Sequence, residues 1–456
     1  MQSDKKNNRK LQKAATVNAC KLCTPLGAAL AFHGLEDAVC LLHGSQGCST
    51  YIRRYLISHF KEPLDVASSN FTEESAVYGG RENLRTAIRN LMQQYAPRLI
   101  GIATTCLAET IGDDVNLFIR ELQVRDGENM PMLLPVSTPS YSGTHSDGFH
   151  AVTRAVAEWL PQQGTLLPQI NLFPGMLSPA DLRYLKEILQ AFDYGHVMVP
   201  DYSDTLDGGL WDAYQAIPPG GTPIQELETL SRSIASVEFS AAVPDRCSAG
   251  VYLQETSEVP LFRMGFPIGI QASDAFFDAL EEITGRDTPQ AYLNERARLA
   301  DAYVDGHKYV FGKRVIVFGE EDLVAALVLF LREIGAVPVI AASGGTSGRL
   351  EDLLRSRLPE KEMQETLVLA EADFLDIELH AKEMQADLVL GHSKGYKLSR
   401  TLGIPHVRVG FPVHDRFGGQ RILHIGYRGA QQLFDTIVNA LLERMQAANP
   451  VGYTYL

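Results

Sequence analysis

Short apolar runs of strand length alternate with amphipathic stretches of helix length along nearly the whole chain of 456 residues. This alternation constrains the fold more than any other feature, because continuous apolar strands separated by helices are typical of parallel sheets covered on both faces. Helical patterns include residues 180–192, 323–334 and 375–384. The predicted strands are residues 99–103, 170–173, 196–199, 236–239, 314–318, 337–341, 366–369, 387–390 and 406–409.

The alternation recurs in three blocks, which predicts an α/β fold of three Rossmann-like doubly wound parallel-sheet domains. A polar stretch at 162–168 and a helical segment around 289–303 separate the blocks. In such sheets, functional groups gather at the carboxyl ends of the strands. We predict a flexible N-terminal arm at 1–19, Rossmann-like domains at 20–165 and 166–295, and a third at 296–456 that ends in a C-terminal helix.

Composition and charge exclude several classes of function. A formal net charge of −14 disfavours nucleic acid as a partner, because phosphate binding requires a basic surface. The longest apolar runs, such as 323–331, are too short to span a bilayer, and the polar N-terminus is not a secretory signal. Six cysteines in so large a chain do not form a disulfide framework, so we expect a cytoplasmic protein. No dinucleotide-binding Gly-x-Gly-x-x-Gly follows a strand and no P-loop is present, so nucleotide hydrolysis is not indicated.

Three cysteines at well-separated turns are the strongest candidates for metal ligands. Cys23 is part of Lys-Leu-Cys-Thr-Pro-Leu-Gly-Ala, Cys48 ends His-Gly-Ser-Gln-Gly-Cys, and Cys106 follows the apolar run 99–103. Thiolate is the soft ligand that iron–sulfur clusters require, and glycine lets the backbone approach a bulky inorganic core. An isolated cysteine is usually a small buried hydrophobe, but the turn before Cys48 has little packing value and Cys106 ends a predicted strand. The sequence therefore predicts a shared metal cluster.

The remaining cysteines give weaker signals. Cys20 and Cys23 have the spacing of a zinc knuckle, but no second Cys-x2-Cys or His-x3-His pair completes a tetrahedral site. Cys20 is therefore either a spare ligand or a residue of the N-terminal arm. Cys40 lies in an apolar stretch and is expected in the core, and Cys247 stands alone.

Histidines and paired acids are assigned structural roles. Asp113 and Asp114 resemble a hard-metal pair, but we expect them to open a helix at 115–122, where acids favour the positive end of the helix dipole. Six histidines show no paired spacing for a metal, so hydrogen-bonded or solvent-facing roles are expected. These histidines are predicted to lie in glycine- or proline-bearing loops and are His43, His59, His145, His307, His392 and His414.

Several long motifs, in order along the chain, resemble one family. They are KLCTPLGA (21–28), HGSQGC (43–48), HFKEP (59–63), TEESAVYGG (72–80), TTCLAETIGDD (104–114), STPSYSGTHSDGF (137–149), MGFPIGI (264–270), LGHSKGY (390–396) and GYRGAQQLFDTIVN (426–439). Together they resemble nitrogenase component 1, and within it the β-type subunits. The resemblance extends over nearly the whole chain. It implies three Rossmann-like domains, in agreement with the fold predicted from the alternation.

Five residues of this chain match positions beside the cluster of the β-type subunits. Cys23, Cys48 and Cys106 match the thiolates that hold an iron–sulfur cluster, either [4Fe-4S] or a larger P-cluster-like unit, at the interface of two subunits. Ser140 matches a serine that lies near this cluster and ligates it when oxidised, and an ordinary turn serine is the alternative. Gly47 matches a position where the backbone passes close to the cluster.

The resemblance also implies partners, because three thiolates leave the coordination of a shared cluster incomplete. It implies an α2β2 heterotetramer with an α-type subunit that is either NifE-like or nitrogenase α-like. It further implies transient docking of a separate nucleotide-hydrolysing iron protein as the reductase, since this chain has no P-loop.

Two functions fit the resemblance. A NifN-type scaffold subunit would help assemble the iron-molybdenum cofactor, with the complex binding a precursor of that cofactor. A catalytic β subunit of a nitrogenase or nitrogenase-like reductase would relay electrons through the interfacial cluster. The short stretch before Cys23 and the segments 200–208 and 219–222 favour the scaffold, whereas the presence of three thiols favours the reductase. A Rossmann-type binding protein without metal would require all three thiols to be accidental. The sequence favours the scaffold.

Overall fold

The computed structural model of this protein describes residues 20–127, 130–449 and 451. The described residues form two parallel β-sheets of four strands and one of five, with helices between the strands. This architecture confirms the predicted α/β fold of three doubly wound parallel-sheet domains. The predicted arm at 1–19 lies outside the described residues, and the boundaries between the domains remain predictions.

The first sheet has the strand order β2-β1-β3-β4. Every residue of its central strands β1 and β3 is buried, as expected for parallel strands with helices on both faces. The strands are β1 (Ala38–His43), β2 (Ala67–Ser68), β3 (Leu99–Thr104) and β4 (Met132–Val136). The helices are α1 (Thr24–Phe32), α2 (Gln46–Phe60), α3 (Glu73–Tyr78), α4 (Arg81–Tyr95), α5 (Cys106–Ile111), α6 (Val115–Asp126) and α7 (His145–Trp159).

The second sheet has the strand order β6-β5-β7-β8. Its first helix, α8, begins with Pro179 and is capped by the Ser178 side chain, which accepts a hydrogen bond from the Asp181 backbone. The strands are β5 (Leu167–Phe173), β6 (Gly195–Met198), β7 (Ser233–Phe239) and β8 (Leu261–Met264). The helices are α8 (Pro179–Ala191), α9 (Ile224–Leu227), α10 (Ala249–Ser257), α11 (Ile270–Thr284) and α12 (Gln290–Val310), with short 3-10 helices at Leu230–Arg232 and Asp245–Cys247.

The third sheet has the strand order β11-β10-β9-β12-β13. The strands are β9 (Arg314–Gly319), β10 (Val337–Ser343), β11 (Leu367–Leu369), β12 (Leu388–Gly391) and β13 (His406–Arg408). The helices are α13 (Glu321–Glu333), α14 (Leu350–Arg357), α15 (Glu360–Gln364), α16 (Phe374–Ala381), α17 (Tyr396–Leu402) and α18 (Gly426–Ala448), with 3-10 helices at Ser393–Gly395 and Gly419–Arg421. Apolar residues of all three domains pack into one contiguous core.

Helices α1 and α7 of the first domain cross unusually closely. A Cβ atom on Gly27 would lie 1.6 Å from the carbonyl oxygen of His145, and one on Gly148 would lie 1.9 Å from that of Thr24. All nine residues of α1 are buried. The crossing therefore fixes the start of α1, which is where Cys23 lies.

The long helices α12 and α18 pack against each other. The buried positions of α18 recur at helical spacing, at Tyr427, Ala430, Leu433, Ile437 and Leu441, so one face lies in the core and the other is polar. Among the described residues, no helix is both long and apolar enough to cross a lipid bilayer.

The predicted loop positions of four histidines are wrong. His43 ends β1, His59 lies in α2, His145 begins α7 and His307 lies in α12. The glycine or proline near each histidine suggested a loop, but Gly44 follows the strand, Pro63 follows the helix that contains His59, and Gly148 and Gly306 lie inside helices. The first three of these histidines are buried. Their roles are still structural, since His43, for example, hydrogen-bonds to Ser69 and Asp113 at 3.1 Å each.

Candidate metal centre

The carboxyl ends of β1 and β3 bring two of the candidate thiols together. These strands are neighbours in the first sheet. Cys48 follows β1 as the third residue of α2, and Cys106 follows β3 as the first residue of α5. A Cβ atom on Gly44 would lie 2.0 Å from Thr105 Oγ1, so glycine is required where the two turns pass. The sequence motif therefore positions Cys48 against the turn that carries Cys106.

The segment after β4 connects the third thiol to this pair. Cys23 is the residue that precedes the first turn of α1. The adjacent Thr24 hydroxyl donates a hydrogen bond to the Pro139 carbonyl at 3.4 Å. The next residue along, Ser140, donates its backbone N–H to Cys106 Sγ at 3.2 Å. One short segment thus contacts the surroundings of both Cys23 and Cys106.

Each of the three thiols lies at the amino-terminal end of a helix. The positive end of the helix dipole offsets part of the negative charge that a sulfur carries there when it ligates a metal. Two of the sulfurs also accept hydrogen bonds, Cys106 Sγ from the Ser140 backbone and Cys48 Sγ from the Ser45 hydroxyl at 3.7 Å. Hydrogen bonds to a ligating sulfur orient it and tune the metal it holds.

The electrostatics show that the three thiols interact. Burial raises the pKa of the Cys23 thiol to about 11, and the charges of Cys48 and Cys106 contribute to the rise. Burial followed by the charge of Cys23 also raises the pKa of Tyr51, a residue of α2. A thiol held in its protonated form by burial becomes a ligand when a metal offsets the thiolate charge.

The donor set fits a cluster of several irons better than a single ion. In residues 20–127, 130–449 and 451, no group of three or more His, Cys, Asp or Glu side chains could hold one metal ion. The three thiols are nevertheless neighbours, are partly exposed, and are the soft donors that iron–sulfur clusters require. Cys23, Cys48 and Cys106 would hold such a cluster from one side.

The two non-cysteine candidates lie beside these thiols. Gly47 is exposed in the first turn of α2, and a Cβ atom there would contact only Ser45 Oγ, at 3.9 Å. Nothing else in the described chain is close enough to require glycine at that position, which leaves room for a group outside the chain. Ser140 is half-buried and reaches Cys106 Sγ through its backbone N–H. Its predicted role as a ligand when oxidised remains a prediction.

The other cysteines lie in different surroundings. Cys20 is 2% exposed, packs in the core of the third domain, and places its sulfur 3.9 Å from His392 Nε2. Cys40 is buried in β1, as expected. Cys247 is half-buried at the end of a 3-10 helix. Cys20 was predicted as either a spare ligand or a residue of the N-terminal arm, whereas the structure buries it in the core of the third domain.

Lys394 is a residue of the site that the sequence analysis missed. It follows β12 in the third domain, is half-buried, and donates a hydrogen bond from Nζ to the Lys21 carbonyl at 3.1 Å. Its ammonium interacts electrostatically with Cys20 and Cys23. The two lysines are 373 residues apart, so no local pattern links them. The motif LGHSKGY was the only available signal.

Large apolar side chains surround the three thiols and are exposed. Tyr51 of α2 is 40% exposed, Leu107 of α5 is 37% exposed, and Tyr141, which follows Ser140, is 68% exposed. Exposed aromatic and aliphatic residues around polar groups are typical of protein–protein interfaces. We refer to Tyr51, Leu107 and Tyr141 as the apolar rim.

Comparison with known proteins gives the family. The sequence model described as "Nitrogenase component 1 type Oxidoreductase" matches residues 23–442, which include all three thiols. The chain belongs to this family. The computed structure superimposes on a chain of the solved structure "Nitrogenase Cp1 at pH 6.5" with a TM-score of 0.93 and 33% identity, covering 98% of this chain and 97% of that chain.

Curated relatives identify the β-type lineage. The chain is 34% identical over 439 residues to the nitrogenase molybdenum-iron protein beta chain of Clostridium pasteurianum, covering 95% of each sequence. It is also 32% identical over 439 residues to the nitrogenase iron-molybdenum cofactor biosynthesis protein NifN of a Nostoc strain, again covering 95% of each. The chain is therefore a β-type member of nitrogenase component 1. The preference for a scaffold is not confirmed, since catalytic β chains are at least as similar.

Proposed function

We propose that this chain is the β-type subunit of a nitrogenase-type reductase and supplies half of the ligands of an iron–sulfur cluster at a subunit interface. The observation that carries the proposal is the convergence of three partly exposed thiols at one edge of the first sheet. A half-site of thiolates facing outward requires a second subunit to complete the coordination of iron.

Residues of this chain have distinct roles in the proposed site. Cys23, Cys48 and Cys106 hold iron as thiolates, and the hydrogen bonds from Ser45 and Ser140 orient two of the sulfurs. When bound, a [4Fe-4S] or larger P-cluster-like unit supplies one-electron redox chemistry. The three helix amino termini offset part of the negative charge that such a site accumulates.

The apolar rim supports the proposed partner. We propose an α-type subunit that covers Tyr51, Leu107 and Tyr141 and completes an α2β2 heterotetramer. The relatives named as beta chains are consistent with such a partner. A separate nucleotide-hydrolysing iron protein would supply electrons, because this chain has no P-loop.

A scaffold for assembly of the iron-molybdenum cofactor is the second candidate. It is favoured by the similarity to the Nostoc protein named for cofactor biosynthesis. In that function, the complex would bind a cofactor precursor and pass the finished cofactor on. The same three thiols would then hold an accessory iron–sulfur cluster.

The cluster assignment is tested by Cys48→Ala in the complex purified without oxygen from the native cell. We expect a several-fold loss of cluster iron with the α/β fold retained, because one of three thiolates is removed. Cys247→Ala is the matched control, since this half-buried cysteine lies outside the site and its removal should leave iron unchanged. Unchanged iron in Cys48→Ala, measured against that control, would refute the assignment.

The two candidate functions are separated by metal analysis and a substrate-reduction assay on the same complex. Turnover that depends on ATP and reductant, with a stoichiometric heterometal, would establish the reductase. A complex that turns over little substrate but donates cofactor to an apo-nitrogenase would establish the scaffold. An iron-free protein without a partner would contradict both.

A further inference from the structure

Helix α16 of the third domain has an outer face that is apolar at its centre and acidic around it. Leu375 and Leu379 lie one helical turn apart and are 44% and 54% exposed. Residues 371–383 contain five carboxylates and one lysine, a net charge of −4. The one lysine lies 3.5 Å from Glu378, so the surface keeps an excess of negative charge. Exposed apolar side chains within a charged rim mark an interaction site. The α16 face is formed by Leu375, Leu379, Glu371, Glu378 and Glu383.

The N-terminal segment 1–19 joins the described chain beside this face. Cys20 donates its backbone N–H to the carbonyl of Ala372, two residues before α16, at 3.3 Å. Its side chain packs in the same core cluster as the buried face of α16. On the other side, Lys394 Nζ donates a hydrogen bond to the carbonyl of Lys21 at 3.1 Å. The backbone at Cys20 is therefore held on both sides, and residues 1–19 leave the third domain at the amino end of α16.

The charge and the reach of residues 1–19 match the α16 face. These residues lie outside the described part of the chain, but they contain five lysines or arginines and one aspartate, a net side-chain charge of +4 in a chain whose total is −14. Helix α16 has eight residues and is about 12 Å long, a distance that roughly four residues of extended chain span. Val17, three positions before Cys20, therefore reaches the two leucines. Lys13 and Lys10, seven and ten positions before Cys20, reach every acidic side chain of the face.

A segment of the same chain is favoured over a separate protein as the occupant of this face. A segment tethered a few residues away is present at an effective concentration in the millimolar range, which a separate protein must exceed to displace it. The α-type partner is proposed to cover the apolar rim, which belongs to the first domain, whereas the α16 face belongs to the third. Opposite charges attract over roughly 10 Å at an ionic strength of about 0.1 M, so the basic segment is also drawn to the nearest acidic surface.

We propose that residues 9–19 dock on the α16 face of their own chain, with Val17 against Leu375 and Leu379 and the basic side chains against the glutamates. The docked segment fastens the chain that leads to Cys23 onto the third domain. The proposal concerns a surface outside the metal centre and does not depend on the function proposed for that centre.

Cross-linking of the purified complex tests the contact directly. A water-soluble carbodiimide joins a lysine amine to a carboxylate without a spacer, and peptide mass spectrometry identifies the linked pairs. We expect Lys10 or Lys13 to be linked to at least one of the glutamates of the α16 face. Glu255, which is exposed on α10 of the second domain, is the control and should form no link to either lysine. Links of the two lysines only to other sites, on this chain or on a partner, overturn the proposal, and so does the absence of any link.

Limited trypsin digestion of the same complex tests the apolar part of the contact. In Leu375→Ser/Leu379→Ser, we expect cleavage after Lys13 to be at least about tenfold faster than in the parent, because cleavage follows the population of the undocked segment. Leu166→Ser/Leu210→Ser, which replaces two leucines that are 70% and 104% exposed, is the matched control and should be cleaved as the parent is. Equal rates in the two double variants overturn the proposal, since another contact or none would then protect the segment. Should the first double variant not fold, the cross-links of the parent decide.

Discussion

At the scale of single residues, Lys394 contributes a positive charge beside the candidate cluster. Burial lowers the pKa of its ammonium, whereas the charges of Cys20 and Cys23 raise it. A cation that stays half-buried beside thiols offsets negative charge on those thiols when they ligate iron. Lys394 therefore belongs to the third domain but supplies a positive charge to a site that is built on the first domain.

Replacement of this lysine by an uncharged residue should shift the potential of the bound cluster. In Lys394→Met, we expect the reduction potential to fall by roughly 50–100 mV, equivalent to about 1–2 kcal/mol, because the reduced cluster carries more negative charge than the oxidised one. A redox titration monitored by electron paramagnetic resonance measures the shift. Lys394→Arg keeps the positive charge and should retain most of the potential. Equal potentials in the methionine variant and the parent would contradict this role.

At the level of single residues, the sequence predicted the three thiols but not the residues around them. Cys23, Cys48 and Cys106 were predicted from their turns, and the structure brings them together. Asp114 was also predicted correctly, since its side chain accepts a hydrogen bond from the Leu117 backbone at the start of α6. Lys394 was missed because its contact with Lys21 joins residues 373 positions apart. Periodicity and motifs describe neighbours in sequence, whereas this contact depends on how two domains pack.

At the scale of secondary structure, strands with uninterrupted apolar residues were predicted best. The predicted strand 314–318 is β9 (Arg314–Gly319), and 337–341 lies within β10. Four strands were missed. Strand β2 has only two residues, and the other three were missed for identifiable reasons. In β1, Cys40 was expected in the core, but the apolar run around it was not assigned to a strand. Strand β4 contains Pro135, and β8 has the sequence LFRM, with an arginine at its third position. Pairing with buried neighbours forms these strands in spite of weak local patterns.

The close crossing of α1 and α7 predicts that a substitution at Gly27 lowers both the stability of the fold and the iron content of the complex. In Gly27→Ala, the new methyl group would lie 1.6 Å from the His145 carbonyl oxygen, so the two helices must separate. We expect the free energy of unfolding to fall by about 1–3 kcal/mol or more, the usual cost of overpacking a core. Because Cys23 caps α1, iron content should fall as well. Thermal melting and iron analysis on the same preparation measure both effects.

Gly209 provides the control for this substitution. A Cβ atom there would have no heavy atom within 4 Å apart from its chain neighbours. Gly209→Ala should therefore leave both the melting temperature and the iron content unchanged. If Gly27→Ala behaves in the same way, the helix crossing does not position the thiol.

At the scale of the whole molecule, the start of α13 joins all three domains. Glu320 accepts a hydrogen bond from the Ser146 hydroxyl of the first domain at 3.4 Å and caps α13 by accepting one from the Leu323 backbone at 2.9 Å. Asp322 accepts one from the Ala242 backbone of the second domain at 2.8 Å. Asp322 is buried and Glu320 is half-buried in this junction, where ionisation is costly. Burial, followed by the charge of Asp322, raises the pKa of Glu320 to about 8.

The raised pKa of Glu320 predicts the direction in which the stability of the fold changes with pH. A carboxyl whose pKa is higher in the folded than in the unfolded state binds its proton more tightly when folded. Its contribution to stability is therefore largest below the unfolded value of 4.5 and declines as pH rises toward about 8. The fold is therefore expected to lose stability as pH rises across this range.

Glu320→Gln should remove this loss. The glutamine keeps an oxygen that accepts from the Leu323 backbone and has no proton to release, so the cap persists while the cost of ionisation disappears. We expect the variant to melt at nearly the parent temperature at pH 5 and several degrees higher at pH 8.5, by differential scanning calorimetry of the complex. Glu255→Gln, on the exposed side of α10, is the control and should match the parent at both pH values. A Glu320→Gln variant that gains no stability at pH 8.5 would contradict the raised pKa of this carboxyl.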